Sequence, residues 1–191
     1  MMTRPLPPLN AASPAEARAL DAYVVAAARC GDRAALALLA ARWQRRLQAH
    51  ALRLTGDGEM AGDVVQSAWV EILRGLPRLD VVEAFPAWAY RIVTRRCAGA
   101  IRGRQQQRAL AAAIAAEPPP PDQEPVEPTA RLHAAIQALP PDQRAAIALV
   151  HFEHLSVAEV AVSLSVPVGT VKTRLMYARR KLRAILEGDE P

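Results

Sequence analysis

Apolar residues recur along most of this chain at intervals of three and four, the spacing that lines one face of a helix. Leu20, Tyr23, Val24 and Ala27 form the first such stripe. Ser13-Pro14-Ala15-Glu16 reads as its capping box, and Gly31 as its stop. Asp32 is placed to cap a long second helix bearing Leu36, Leu39, Ala40, Trp43, Leu47, Ala51 and Leu54, with Gly56 after Thr55 as its C-cap. A third helix is predicted from Glu59 to Leu76, carrying Met60, Val64, Ala68, Trp69, Ile72 and Leu73, and Pro77 ends it. A fourth begins near Val82 and carries Phe85, Ala89, Ile92, Val93, Ala100 and Ile101. No segment alternates at period two, so the fold class is all-α.

The stretch from Leu155 to Leu182 repeats the pattern as two helices joined by a tight turn. Ser156 and Glu159 form a capping box, and Val157, Val160, Ala161 and Leu164 make the apolar stripe of the first helix. Ser165-Val166-Pro167 breaks it. The second helix starts near Val168 and buries Val171, Leu175, Ala178, Leu182 and Ile185. At about 100° per residue, the opposite face carries Gly169, Thr173, Met176, Tyr177 and Arg180, flanked by Thr170 and Lys172. Val168 to Arg183 holds six basic residues and no acid. A short helix, a turn and a helix with an unneutralised basic face are the parts of a helix-turn-helix that reads the major groove. Lys172 and Arg180 suit phosphate or guanine, Thr173 offers hydroxyl and methyl, and Met176 and Tyr177 suit thymine methyls or sugar. Arg174 points nearer the core and is expected to pair with Glu153 or Glu159.

Charge sharpens this picture. The 191 residues carry a net +5 with pI near 9.9, unevenly placed. Arg91 to Ala116 holds six arginines and no acid, a second basic block on and beyond the fourth helix. Trp88 and Tyr90 beside Arg91 suit stacking on unpaired bases, with core packing as the other role open to Trp88. Composition then inverts: Glu117 to Pro128 has six prolines and four acids, and such a segment cannot bury enough surface to fold. Two small helical domains follow, 13–104 and 129–187, with a tail at 1–12. The acidic, proline-rich flexible linker at 105–128 spans at most about 70 Å when extended.

Other chemistry finds little support. Cys30 and Cys97 form no metal-binding or disulfide pattern, and His151 and His154 read as a solvated pair, so no metal is expected. Phosphate-binding glycine loops and nucleophile motifs do not appear, so neither an enzyme nor a cofactor or small-molecule substrate is expected. No apolar run is long enough to insert in a membrane, and MMTRPLPPLN has no secretory core, so a cytoplasmic location is expected.

These halves resemble regions 2 and 4 of bacterial sigma-70-type factors, in the small extracytoplasmic-function (ECF) group. The matching stretches are CGDRAALALL (30–39), ALRLTGDGEMAGDVVQSAWVEILRGLPRLD (51–80), FPAWAYRIV (85–93), ALPPDQRAAIALVHFEHLSVAEVA (138–161) and VPVGTVKTRLMYARRKL (166–182). The resemblance implies a subunit that binds core RNA polymerase, reads promoter DNA and helps open it. Asp63 and Gln66, with Trp69 as contact or core, would dock on polymerase. Trp88, Tyr90, Arg91, Arg95, Arg102 and Arg104 would meet the minus-10 element. Thr170, Lys172, Thr173, Met176, Tyr177 and Arg180 would meet the minus-35 element. Arg95 and Gly99 depart from the family where a base is held, and Gly62 replaces the usual acid before Asp63. The resemblance, with the hinged two-domain design, also implies a cognate anti-sigma factor. The alternative is a freestanding helix-turn-helix regulator, which would dimerise on a palindrome. Against it stands the second basic block, with no evident dimerisation helix. That block also argues against a helical interaction protein without a DNA role.

Overall fold

The computed structural model describes residues 14–114 and 128–188. Expectations for the tail, for Ser13 as a cap and for the acidic segment up to Glu127 lie outside these residues. Among them the chain is helical with no strand: α1 (Pro14–Arg29), α2 (Arg33–Thr55), α3 (Gly58–Gly75) and α4 (Phe85–Ile114), then α5 (Pro128–Gln137), α6 (Pro141–Ile147), α7 (Val157–Leu164) and α8 (Val168–Glu187). Two 3-10 turns, Leu76–Arg78 and Val82–Ala84, join α3 to α4.

Local chemistry sets these boundaries. The Asp32 carboxylate accepts from the Ala34 and Ala35 amides, and Gly56 closes α2 at φ 70°, a left-handed conformation that glycine adopts without strain. Asp57 caps α3 through the Met60 amide. In α7 both bonds of the capping box form, Ser156 accepting from the Glu159 amide and Glu159 from the Ser156 amide. Ser165 takes the left-handed position of the turn at φ 55°. α4 passes the domain boundary expected at Arg104 and continues to Ile114 as one helix, taking in the alanine-rich stretch from Ala109 whose composition already favours partial helix.

In the first half, α1 to α4 close around Leu39, Trp43, Leu47, Ile72, Leu76 and Phe85, each almost fully buried. Trp43 meets Phe85 edge-on at 5.1 Å and Tyr90 at 5.7 Å. Trp88 takes a half-buried core place, inclined to Phe85 at 6.0 Å. It lies so near Gly75 that a β-carbon there would come within 2.7 Å of the ring. The second half packs Ile136, Leu139, Ile147, Leu149, Val160, Val171, Leu175 and Ala178. Between α6 and α7 the residues Ala148–Phe152 widen into a π-turn, with the Glu153 amide bonding the Ala148 carbonyl at 3.2 Å.

The two halves are docked on each other. α4 lies along α7, and α2 meets the π-turn, α5 and α6. The C-terminal carbonyls of α2, which no intrahelical donor can reach, are completed by the other half. Gln137 Nε2 donates to the Arg53 carbonyl at 2.8 Å, and Arg144 Nη1 to that of Leu54 at 2.7 Å. Ser163 donates to the Ala87 carbonyl at 3.0 Å, joining α7 to α4 in a buried contact.

Candidate nucleic-acid interface

α8 presents the face expected of it. Val171, Leu175 and Ala178 are buried and Leu182 is half-buried, although Ile185 at the end of the stripe is 45% exposed. On the other side Lys172, Thr173, Met176, Tyr177 and Arg180 are exposed, with Thr170 half-buried at their edge. The Arg180 guanidinium lies 5.0 Å above the Tyr177 ring, and Thr173 bonds back to the Gly169 carbonyl at 3.0 Å. Arg174 forms an ion pair, but with Asp142 at 2.6 Å and not with Glu153 or Glu159 as the sequence suggested. Both of those carboxylates are engaged elsewhere, Glu159 by Arg18 at 3.4 Å. Arg174 thus braces α8 against α6 instead of extending the reading face.

On α4 the expected residues divide. Arg91 and Arg102 are exposed. Arg95 and Arg96 share one carboxylate, Glu71 of α3, with Arg96 Nη2 at 2.9 Å. Burial works to raise the Glu71 carboxyl, but the two guanidiniums outweigh it and hold it below the usual range. Arg104 is paired with Asp57, whose carboxyl is held low first by the Met60 amide and then by that arginine. Tyr90 is placed otherwise than a stacking residue requires: only 2% of it is exposed, and its hydroxyl donates to Glu153. Position 90 faces α7 and the π-turn, whereas the exposed arginines lie to either side.

α3 carries the polymerase candidates. Asp63 and Gln66 are exposed side by side, one turn apart, and Trp69 below them is half-buried with its Nε1 donating to Gln44 Oε1 at 2.6 Å. Exposed Leu73 and Val70 continue this face, so it is apolar as well as polar. The pair His151 and His154 is exposed, and His151 lies 3.4 Å from an Arg179 nitrogen. Among the described residues no group of three or more His, Cys, Asp or Glu side chains is gathered to hold a metal. No described helix is long and apolar enough to cross a membrane.

Sequence reasoning missed the polar cluster where the halves meet. The Glu153 carboxylate, its side chain 5% exposed, receives Arg53 Nη1 at 2.7 Å and the Tyr90 hydroxyl. His50 Nδ1 approaches it at 3.6 Å, longer than a hydrogen bond, while His50 Nε2 is 2.9 Å from the Thr94 hydroxyl. Burial alone would raise the Glu153 carboxyl, but His50, Tyr90 and Arg53 together hold it low. Burial and the Glu153 charge push the Tyr90 phenol upward. Beside the cluster a cleft of about 370 Å³ runs between the halves, lined by Arg91, Arg95 and Ile101 of α4 and by Leu164, Val166 and Arg174. Cys97 also borders it, its thiol pushed by burial up to about 12.

With this geometry in hand, comparison with known proteins gives a consistent answer. Residues 39–107 match the family described as Sigma-70 region 2, and residues 129–182 match Sigma-70, region 4. The chain is 30% identical over 181 residues to the RNA polymerase sigma-H factor of Pseudomonas aeruginosa, covering 87% of this chain and 94% of that one. It is 32% identical over 166 residues to the ECF RNA polymerase sigma factor SigM of Mycobacterium tuberculosis, covering 87% and 84%. Among solved structures it resembles CnrH, solved in complex with the cytosolic domain of CnrY. That match has a TM-score of 0.69 and 26% identity, covering 89% of this chain and 99% of that one. The same fold recurs in Bartonella quintana RpoE, solved with the anti-sigma factor NepR, at a TM-score of 0.67 and 22% identity, covering 81% and 98%. The chain belongs to the ECF group of sigma-70-type RNA polymerase sigma factors.

Proposed function

We propose that this chain binds core RNA polymerase in the cytoplasm, directs it to a particular set of promoters and assists DNA opening, with no catalysis of its own. The observation that carries the reading is the pairing of a bare basic reading face on α8 with a second arginine-rich helix, α4, in the other half. Duplex is read by the first through groove contacts, and single strands are held by the second through the charge of its exposed arginines. Phosphate neutralisation by both makes binding steeply salt-dependent. A restraining protein partner of the anti-sigma kind fits the two-half design, and the similar CnrH being solved with CnrY bound supports it.

Run-off transcription from a promoter library, with core polymerase and with or without the chain, tests the reading. Chain-dependent transcripts from a sequence-defined subset are expected. A chain that binds palindromic duplex as a dimer, and leaves the transcript set unchanged, would be a freestanding regulator instead. Polymerase docking is checked separately with Asp63→Ala plus Gln66→Ala. Both side chains are exposed, so helical circular dichroism should be unchanged. Affinity for core polymerase is expected to fall about tenfold, the loss of one or two interface contacts. Equal affinity in a pull-down titration would remove α3 from the docking role.

A further inference from the structure

The two arginines that reach from α4 to Glu71 of α3 are held in different ways. Arg96 commits its Nε, at 3.1 Å, and its Nη2, at 2.9 Å, to Oε2. Arg95 gives only Nη2, to Oε1. The Arg95 side chain is 60% exposed, against 36% for Arg96. A guanidinium carries several N–H donors in one rigid plane, so Arg95 is pinned at one corner while its other donors face solvent. Two guanidiniums hold the Glu71 carboxyl low, so the anchor stays ionised. On α4, Arg91, Arg95, Gly99 and Arg102 fall within about 80° of one another, and all four are exposed. A β-carbon on Gly99 would meet nothing within 4 Å. The arginine ridge is thus interrupted, one turn beyond Arg95, by open space over bare backbone. Arg95 and Gly99 are also the two α4 positions at which the chain departs from its family.

We propose that Glu71 is a positioning residue for base choice: it aims the free edge of the Arg95 guanidinium at an unpaired guanine of the minus-10 strand, seated over Gly99. The inference rests on the promoter-binding reading above, and adds to it which base is selected and by which side chains. Hydrogen-bond chemistry decides the base. Both oxygens of Glu71 already face arginines, so the pair turns N–H groups outward. Guanine sets two acceptors, O6 and N7, side by side on one edge, and a guanidinium fork matches them. Adenine sets its N6 donor beside N7, and that donor would oppose another. A wandering arginine would meet phosphate as readily as a base, and a phosphate contact carries no sequence information. Anchoring the plane beforehand removes that freedom and lessens the entropy lost when the base arrives. Arg96, bonded twice to Oε2, keeps the anchor itself in place.

The test uses the full chain with core polymerase, in run-off transcription from templates carrying each of the four bases in turn at every minus-10 position. The parent chain is expected to favour non-template guanine at one position by about tenfold over the other bases. Glu71→Gln keeps the shape of the side chain and removes its charge, and the ratio at that position should fall to about twofold or less. Arg95→Lys keeps the charge and removes the fork, and should flatten the same position to the same degree. A variant damaged only in its fold would lower output from all templates alike and leave the ratio standing. That result in Glu71→Gln overturns the positioning role, as does its failure to transcribe any template. A parent chain that prefers another base, or shows no guanine preference while still giving chain-dependent transcripts, overturns this inference alone. A parent chain that gives no chain-dependent transcript from any template defeats the promoter reading itself.

Discussion

Alanine at both Lys172 and Arg180 is expected to weaken upstream duplex binding about 100-fold. Each basic side chain that reaches guanine or phosphate contributes about 1–3 kcal/mol, and about 1.4 kcal/mol is tenfold. Both residues are exposed on α8, and neither pairs with an acid among the described residues, so no ion pair there must break before they meet DNA. Arg180 is further shaped for the task by its stacking over Tyr177, which holds the guanidinium plane in place at low entropic cost. The same exposure means that the double variant keeps its fold. Footprinting the full chain with core polymerase, across a salt series, measures both affinity and slope. Loss of two phosphate contacts would lower the log–log slope by about 1.8, and loss of a guanine contact would also relax preference at one base pair. A variant with unchanged affinity and slope would take α8 out of the reading role.

The largest effect on stability is expected at Trp43. Only 2% exposed, it meets Phe85 and Tyr90 edge-on and carries the Arg46 guanidinium 5.1 Å over its ring. Truncation to alanine removes the central side chain of the first half and leaves a cavity bordered by helices that cannot close over it, a loss of about 3–5 kcal/mol. For a domain of this size that corresponds to a melting point lower by about 12 °C or more. Because Tyr90 rests on Trp43, the substitution should also loosen the contact around Glu153. Thermal circular dichroism of the variant decides the matter: a melting point within a few degrees of the parent chain would mean that the aromatic cluster does not hold this half together.

How much of this was legible in the residues depends on how far apart the partners lie. The α2 caps at Asp32 and Gly56, the capping box of Ser156 and Glu159, and the buried stripe of α8 all involve residues within one or two turns, and periodicity reports them directly. The exposed face of α8 follows from the same rule. Tyr90 shows where the rule stops. Its position beside Arg91 suits stacking on a base, yet its hydroxyl partner, Glu153, is 63 residues away and is aimed by a π-turn that no simple period reveals. Arg174 was rightly placed nearer the core and in an ion pair, but the choice among Asp142, Glu153 and Glu159 is a tertiary one. It was settled because Arg53 and Arg18 had already claimed two of the three. The end of α4 was legible in part: the domain boundary is placed at Arg104, where charge and family pattern end, the alanine-rich stretch from Ala109 reads as partly helical, and the structure joins the two as one helix to Ile114.

That longer α4 changes what joins the halves. Past Arg104, from Gln105 to Leu110, every residue of the helix is exposed. The connection proper is then residues 115–127, which can hold Ile114 and Pro128 no more than about 50 Å apart when fully stretched. Any wider separation must be drawn from the helix itself, each residue gaining about 2 Å as it passes from a 1.5 Å rise to an extended one. The projecting end of α4 is in this sense a spool. Promoter elements within that reach would leave the helix intact, and each further base pair would unwind a little more of it at a small free-energy increment. Spacer length between the two elements would then be read as a graded energy, set by how firmly a run of glutamines and alanines stays helical.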